Sequence, residues 1–211
     1  MDSGSTTIYS DTGWGAGATP AATLTAAFNQ VGAFGLTANS ADSALLAPFA
    51  AGPYTALVSG VNNTTGVALA EVYDADTGTP TTRLKNLSVR AQVGTGSGIL
   101  IAGFVISGNV PKTVLIRGIG PGLTAFGVTG ALQEPVLGLY SPSGALIESN
   151  YQWSGEPRLA STMAAVGAFA LDPQSPDSVL LITLPPGAYT AQLSGVNSTT
   201  GVGLIEVYEV P

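Results

Sequence analysis

The sequence predicts an all-β protein made of β-sandwich or jelly-roll-like repeats, with one short helix in each repeat. A 23-residue stretch occurs twice, at 52–74 and at 187–209, and the two copies are identical at 16 of 23 positions. The chain has 211 residues, of which 28 are glycine, and runs rich in apolar and β-branched residues alternate with short turn-forming segments. That alternation is typical of sandwiches and barrels, and the duplication indicates tandem structural units.

Each copy of the 23-residue stretch is predicted to form a β-hairpin. Two runs rich in Val, Leu, Thr and Tyr flank a polar Asn-x-Thr-Thr-Gly loop. Asn and Gly adopt the positive φ angles that a tight reversal needs.

The repeat extends upstream of this stretch. Residues 31–36 and 40–43 match 166–171 and 175–178, and residues 8–14 match 147–153. We therefore divide the chain into a tail at 1–7 (disordered, or a remnant of cloning), a partial repeat at 8–74, a linker at 75–82 and a complete repeat at 83–211. Residues 83–146, the front half, have no earlier counterpart. Residues 8–74 and 147–211 are the N-terminal and C-terminal back halves.

Local signals place the elements within these halves. Each back half is predicted to hold a short helix with a proline at its first position, Pro20 or Pro157, and a glycine just past its end, Gly32 or Gly167. The front half is predicted to contain strands at 87–93, 98–106, 112–117 and 136–140. Residues 98–106 are apolar on both faces, which favours a central, covered strand. The N-terminal back half must then pack on the complete repeat, pack on another chain, or close a small sheet of its own, because bare strand edges are unfavourable.

Charge is sparse and unevenly distributed. Only 9% of residues are charged, and the net charge of −7 argues against a nucleic-acid partner. Residues 1–81 hold six acids and no base, whereas residues 134–211 hold seven acids and only Arg158. Residues 82–133 hold no acid and five bases: Arg83, Lys85, Arg90, Lys112 and Arg117. Either this pattern is chance, or acidic and basic segments face each other within or between repeats, which would favour head-to-tail association of copies or a compact monomer.

The chain has no cysteine and no histidine, which excludes disulfides, thiol catalysis and a Ser-His-Asp triad. Asp-Thr-Gly occurs at 11–13 and 76–78, as in aspartic proteases, but Asp11 is replaced by Asn150 in the second copy. Several glutamates could in principle serve a glycosidase, yet nothing in the sequence pairs them: Glu71, Glu134, Glu148, Glu156 and Glu206. We predict no catalytic residue.

No cofactor is predicted either. A structural Ca²⁺ is the alternative, because Asp74, Asp76 and Gly78 open like a calcium loop. The glycine comes one residue early, however, and the twelfth position is Lys85.

Two groups of residues are predicted to have structural or binding roles. Alternation in the last strand places Glu206 on the face of Leu204 and Tyr208, so we expect a partly buried ion pair with Arg90 or Arg117. A second group of aromatic residues either anchors each repeat or stacks against a sugar: Trp14, Trp153, Tyr151 and Tyr140.

The complete repeat resembles a known family through six motifs: RLKNLSVRAQVG, LIAGFVISG, KTVLIRGIGPGL, SPSGALIESNYQW, GAFAL and GAYTAQLSGVNSTTGVGLIEVYE. They are similar to tandem C-terminal repeats of large secreted bacterial proteins and to pre-peptidase C-terminal-type β-sandwiches. This resemblance implies an extracellular or cell-surface module and contributes no catalytic residue.

Three functions remain open at this point. The first is a non-catalytic module for a stalk, adhesion or assembly, with neighbouring repeats or other copies of itself as partners. The others are a carbohydrate-binding module, with glycans as ligands, and an accessory domain of a secreted hydrolase. No apolar run reaches the roughly 20 residues of a membrane span, and any signal peptide has been removed or lies upstream.

Overall fold

The computed structural model describes residues 6–78 and 82–211. The predicted tail and linker therefore fall partly outside the described residues, at 1–5 and 79–81. The chain divides into two compact units, residues 1–84 and 85–211.

The described residues form two α-helices and eight strands. They are α1 (Ala21–Val31), β1 (Asn86–Val93), β2 (Leu100–Ile106), β3 (Lys112–Ile119), β4 (Pro135–Tyr140), β5 (Leu146–Asn150), α2 (Pro157–Ala165), β6 (Ser178–Leu184), β7 (Gly187–Gly195) and β8 (Gly201–Glu209). Short 3-10 turns lie at Val61–Asn63, Gly96–Gly98, Pro121–Phe126 and Val196–Ser198.

The C-terminal unit is a β-sandwich of two antiparallel sheets. The first sheet has the strand order β1-β8-β3-β6, and the second has the order β2-β7-β4-β5. The sandwich core lies between the sheets and includes Ile116, Leu137 and Leu193. A second cluster, the helix core, joins the outer face of the first sheet to α2 through residues such as Leu115, Trp153 and Met163. The predicted all-β sandwich with a short helix is confirmed.

The six strand ladders of this unit share one property: each joins the front half to the C-terminal back half. In the first sheet, β1 and β3 pair with β8, and β3 also pairs with β6. In the second sheet, β2 and β4 pair with β7, and β4 also pairs with β5. All of β5 except its first residue belongs to the back half. Apart from the single pair Tyr140–Leu146 beside the β4–β5 turn, neither half pairs with itself, and each needs the other to form a sheet.

The predicted hairpin at 187–209 is wrong. Strand β7 belongs to the second sheet and β8 to the first, so the connecting loop crosses the sandwich instead of reversing within one sheet. The apolar faces of β7 and β8 lie on opposite sides of the sandwich core, because Leu193 enters the core from the second sheet and Ile205 enters it from the first. Within the loop, Asn197 has φ 51°. The asparagine therefore predicted the turn correctly, but the turn does not join two strands of one sheet.

The prediction that 98–106 forms a central strand is also wrong. Strand β2 lies at the edge of the second sheet, and its residues alternate between buried and exposed. Leu100, Ala102 and Ile106 face the core, whereas Ile101 and Val105 face solvent. An apolar residue on the outer face of an edge strand leaves the same sequence pattern as a covered strand.

The N-terminal unit contains α1 and the 3-10 turn at Val61–Asn63, and no strand ladder is present in residues 6–78. The hairpin predicted at 52–74 is therefore not formed. The alternative that this unit closes a small sheet of its own is wrong for the described residues. The physical reason follows from the C-terminal unit, where every ladder of the back half requires a front-half strand. In the described residues, no helix combines the length and the apolar character that crossing a membrane would need.

Candidate functional site

A buried ion pair forms the polar centre of the C-terminal unit. Arg117 on β3 lies opposite Glu206 on β8, and the Arg117 side chain is fully enclosed. Its Nε donates to Glu206 Oε2 at 2.8 Å, and its Nη2 contacts the same oxygen. The alternation of β3 and β8 places both side chains on the helix-core face, beneath α2.

Neighbouring groups satisfy the rest of this pair. Arg117 Nη1 donates to the carbonyl oxygen of Phe169 at 2.6 Å and lies 3.3 Å from the sulfur of Met163. The Phe169 ring lies 4.2 Å from the guanidinium carbon, which is a favourable cation–π geometry. Tyr208 donates its hydroxyl to Glu206 Oε1 at 2.9 Å. Both carboxylate oxygens of Glu206 are therefore occupied.

The sequence named two cations as partners for Glu206. The structure brings Arg117 to it and leaves Arg90 exposed on the edge strand β1, opposite Leu204. In β1, the residue directly opposite Glu206 is Ser88. Arg117 is the better placed because β3 is an inner strand covered by α2, whereas β1 is at the edge of the sheet.

Sequence reasoning missed a second buried polar group, Asp177. Its carboxylate accepts hydrogen bonds from the backbone N–H of Gly120 at 2.8 Å and of Gly122 at 3.1 Å, and from the Ser175 hydroxyl at 2.6 Å. Gly120 is required here, because any side chain would overlap the carbonyl oxygen of Leu132. The available signal was the Ser-x-Asp pattern, which is present in both copies.

A third contact between the halves lies at the end of β8. Lys112 Nζ is 2.7 Å from Glu209 Oε1, and Lys85 Nζ is 3.9 Å from Glu209 Oε2. Together with Arg117 and Glu206, these pairs join bases of the front half to acids of the C-terminal back half. Three of the five bases in 82–133 thus form ion pairs with acids of the same unit.

The aromatic residues considered for sugar stacking differ in exposure. Trp153 is 3% exposed and donates its Nε1–H to the carbonyl oxygen of Asp172 at 2.9 Å, so it offers no face to a ligand. Trp14 is half-buried, donates to Thr37 in the same way at 2.9 Å and packs against Phe28. Tyr151 is 69% exposed, and Tyr140 is half-buried. Both tryptophans therefore donate a hydrogen bond to a backbone carbonyl oxygen of their own unit.

The remaining acidic motifs accept hydrogen bonds from backbone N–H groups. Asp11 accepts a hydrogen bond from the backbone N–H of Ala44 at 3.0 Å, and Asp74 accepts one from that of Asp76 at 3.1 Å. Within 6–78 and 82–211, no group of three or more acidic side chains could hold a metal ion. The calcium alternative at 74–85 stays an untested prediction. A cavity of about 80 Å³ beside α2 is lined only by apolar residues, among them Trp153, Met163 and Leu171.

Burial, followed by the adjacent Glu206 carboxylate, raises the pKa of Tyr208 to about 12. Because the folded-state pKa exceeds the unfolded value of about 10, this group's stabilising contribution is complete below pH 10 and is lost as the pH rises towards 12. We expect Tyr208→Phe to lower the free energy of unfolding by about 1–2 kcal/mol at pH 8, through the lost hydrogen bond to a charged group.

The difference between the wild type and Tyr208→Phe should then shrink steadily from pH 10 to pH 12. Urea unfolding at a series of pH values measures it, with the exposed Tyr151→Phe as the control. A difference that stays constant over that range would contradict the assignment of the raised pKa to Tyr208.

The fold and the site define the C-terminal unit as a β-sandwich repeat whose buried polar groups connect its two halves. No protein-family model matches the chain, and the search of curated proteins also found no match. One solved structure to which it is similar is the pre-peptidase C-terminal domain of a collagenase from Bacillus anthracis. That similarity covers 58% of this chain and 89% of that chain, at 11% identity and a TM-score of 0.36. Because this superposition is loose, the fold assignment rests on the strand topology itself.

Proposed function

We propose that the protein is a non-catalytic structural module of an extracellular protein, which connects or assembles neighbouring β-sandwich repeats. The observation that carries the proposal is the enclosed polar centre. Its charged members, Arg117, Asp177 and Glu206, are each at most 6% exposed and hydrogen-bonded to other parts of the same unit.

This arrangement favours a structural role on chemical grounds. A catalytic acid, base or nucleophile must reach a substrate, and binding sites are concave with a few convergent polar groups. Here the guanidinium and both carboxylates are covered, and the cavity beside α2 is small and apolar. The hydrogen bonds of these three groups hold β3, β8 and the loop at 118–122 together.

The extracellular placement and the assembly role have separate support. The six sequence motifs of the complete repeat resemble those of secreted, tandemly repeated proteins. The chain itself carries a second back half that matches the first in sequence, so assembly between repeats is the natural use of such a unit. An accessory role beside a secreted hydrolase is a version of the same proposal.

The test combines a hydrolysis panel with a glycan-binding array, both performed on the full chain. We expect no turnover of peptide, ester or glycoside substrates and no glycan retention. Turnover that disappears in Glu206→Gln, with unchanged circular dichroism, would show an enzyme. Retention that disappears in Tyr151→Ala, the most exposed of the candidate stacking aromatics, would show a carbohydrate-binding module.

A further inference from the structure

We propose that the N-terminal back half is a docking unit, and that it takes a separate front-half segment with the sequence pattern of residues 83–146. Docking would proceed by strand pairing and complete a second β-sandwich. This inference rests on the proposed assembly function and names the chemistry of the partner.

The N-terminal back half already has the local structure of its C-terminal counterpart. The backbone N–H of Trp14 donates to the backbone carbonyl oxygen of Asp42 at 2.7 Å. In the same way, the backbone N–H of Trp153 donates to the carbonyl oxygen of Asp177 at 2.9 Å. Ala44 donates to Asp11 at 3.0 Å, as Val179 donates to Asn150 at 3.2 Å.

The same correspondence holds for the side-chain bonds. Ser40 donates to Asp42 at 2.6 Å and Tyr73 to Glu71 at 3.1 Å, and the equivalent bonds in the second copy are 2.6 and 2.9 Å. The N-terminal back half therefore has the local hydrogen bonds of its C-terminal counterpart, although residues 6–78 form no strand ladder.

Its apolar side chains show which surface is uncovered. Five sandwich-core residues of the C-terminal back half are at most 8% exposed: Leu180, Leu184, Tyr189, Leu193 and Val207. Their equivalents 135 residues earlier are 52–59% exposed: Leu45, Phe49, Tyr54, Val58 and Val72. In the second copy, these residues share the sandwich core with front-half residues such as Val93, Leu100 and Val114. Large apolar side chains that are exposed together mark an interaction site.

The acids of the uncovered unit specify the charge of the partner. Asp42, Glu71 and Asp74 occupy the positions of Asp177, Glu206 and Glu209. In the second copy, Asp177 and Glu206 each accept one hydroxyl from their own half, Ser175 and Tyr208. The other partners of the three acids are in the front half: the Gly120 and Gly122 backbone, Arg117 and two lysines. In the described part of the chain, Glu71 is bonded by Tyr73 and pairs with no cation. A segment like 82–133, which holds five bases and no acid, has the charge that complements these acids.

A count of halves shows why the partner is a separate segment. The chain has two back halves and one front half, and that front half forms all six ladders with the C-terminal back half. Exchange of front halves between copies of the chain would leave the same number of back halves uncovered. An additional front-half segment is needed to satisfy the N-terminal unit.

The experiment extends the full chain with a second copy of residues 83–146, joined ahead of residue 8. Hydrogen exchange followed by mass spectrometry reports the amides of 52–74. We expect these amides to exchange fast in the unmodified chain and about a thousandfold more slowly in the extended chain, because ladder amides open only with the folded unit. Amides of 187–209 should be protected in both chains.

Two adjacent substitutions in the extended chain give a matched control. Val58 takes the position of the enclosed Leu193, whereas Leu57 takes that of Gln192. Val58→Ser should abolish the new protection, and Leu57→Ser should keep it. Replacing the arginine of the added copy that corresponds to Arg117 with glutamate should also abolish it.

Two results would overturn the proposal. One is an unchanged exchange rate of 52–74 in the extended chain. The other is protection of 52–74 in the unmodified chain equal to that of 187–209, since the resident front half would then be the occupant. These readouts are independent of the hydrolysis and glycan tests, so failure of the proposed function and failure of the docking inference are distinguishable.

Discussion

Arg117→Met is expected to lower the free energy of unfolding of the C-terminal unit by about 3–5 kcal/mol. The substitution keeps most of the side-chain volume but leaves the Glu206 carboxylate enclosed without its cation. It also removes the donor to the Phe169 carbonyl oxygen and the cation–π contact. An uncompensated buried charge is one of the few single changes that reach this magnitude.

Urea unfolding followed by circular dichroism measures the effect, and Arg90→Met is the matched control. Arg90 lies on β1, which is separated from β3 by β8, and it is exposed, so its replacement should change the free energy of unfolding by no more than about 0.5 kcal/mol. The double variant Arg117→Met with Glu206→Leu should recover much of the loss, because it removes both charges from the core. Equal effects of Arg117→Met and Arg90→Met would contradict a structural ion pair.

The second large effect is expected for Asp177→Ala, at about 2–4 kcal/mol. This carboxylate is the acceptor for two backbone N–H groups of the loop at 118–122, and it is fully enclosed. Its removal leaves those donors without a partner in a place where Gly120 packs directly against the Leu132 backbone. The loop then loses the group that orders it.

The sequence repeat supplies the control for this prediction. Asp42→Ala removes the equivalent carboxylate from the N-terminal unit, where the Ser40 hydroxyl donates to it. We expect the same unfolding measurement to show a change of about 0.5 kcal/mol or less. If Asp42→Ala destabilised the chain as much as Asp177→Ala, the N-terminal unit would already hold a front-half loop.

Much of the fold could be predicted because it depends on short-range patterns. Proline followed by a helical run and then glycine predicted α1 and α2, and apolar runs between Gly- and Pro-rich turns predicted the strands of the front half. Alternation in the last strand placed Glu206 on the face of Leu204 and Tyr208, where the structure has it in the helix core. Asp177 was missed because a single acidic residue between loops has no periodic pattern, and its role depends on glycine N–H groups 55 and 57 residues away.

Local sequence patterns define where strands, helices and turns can form, and they place acids and bases in different segments. Which strands pair depends on the tertiary fold. Two stretches identical at 16 of 23 positions have different structures, since 187–209 forms β7 and β8 while 52–74 forms no ladder. The physical reason is that all six ladders are made between a front half and a back half, so a back half has strand sequences but no sheet until front-half strands pair with it.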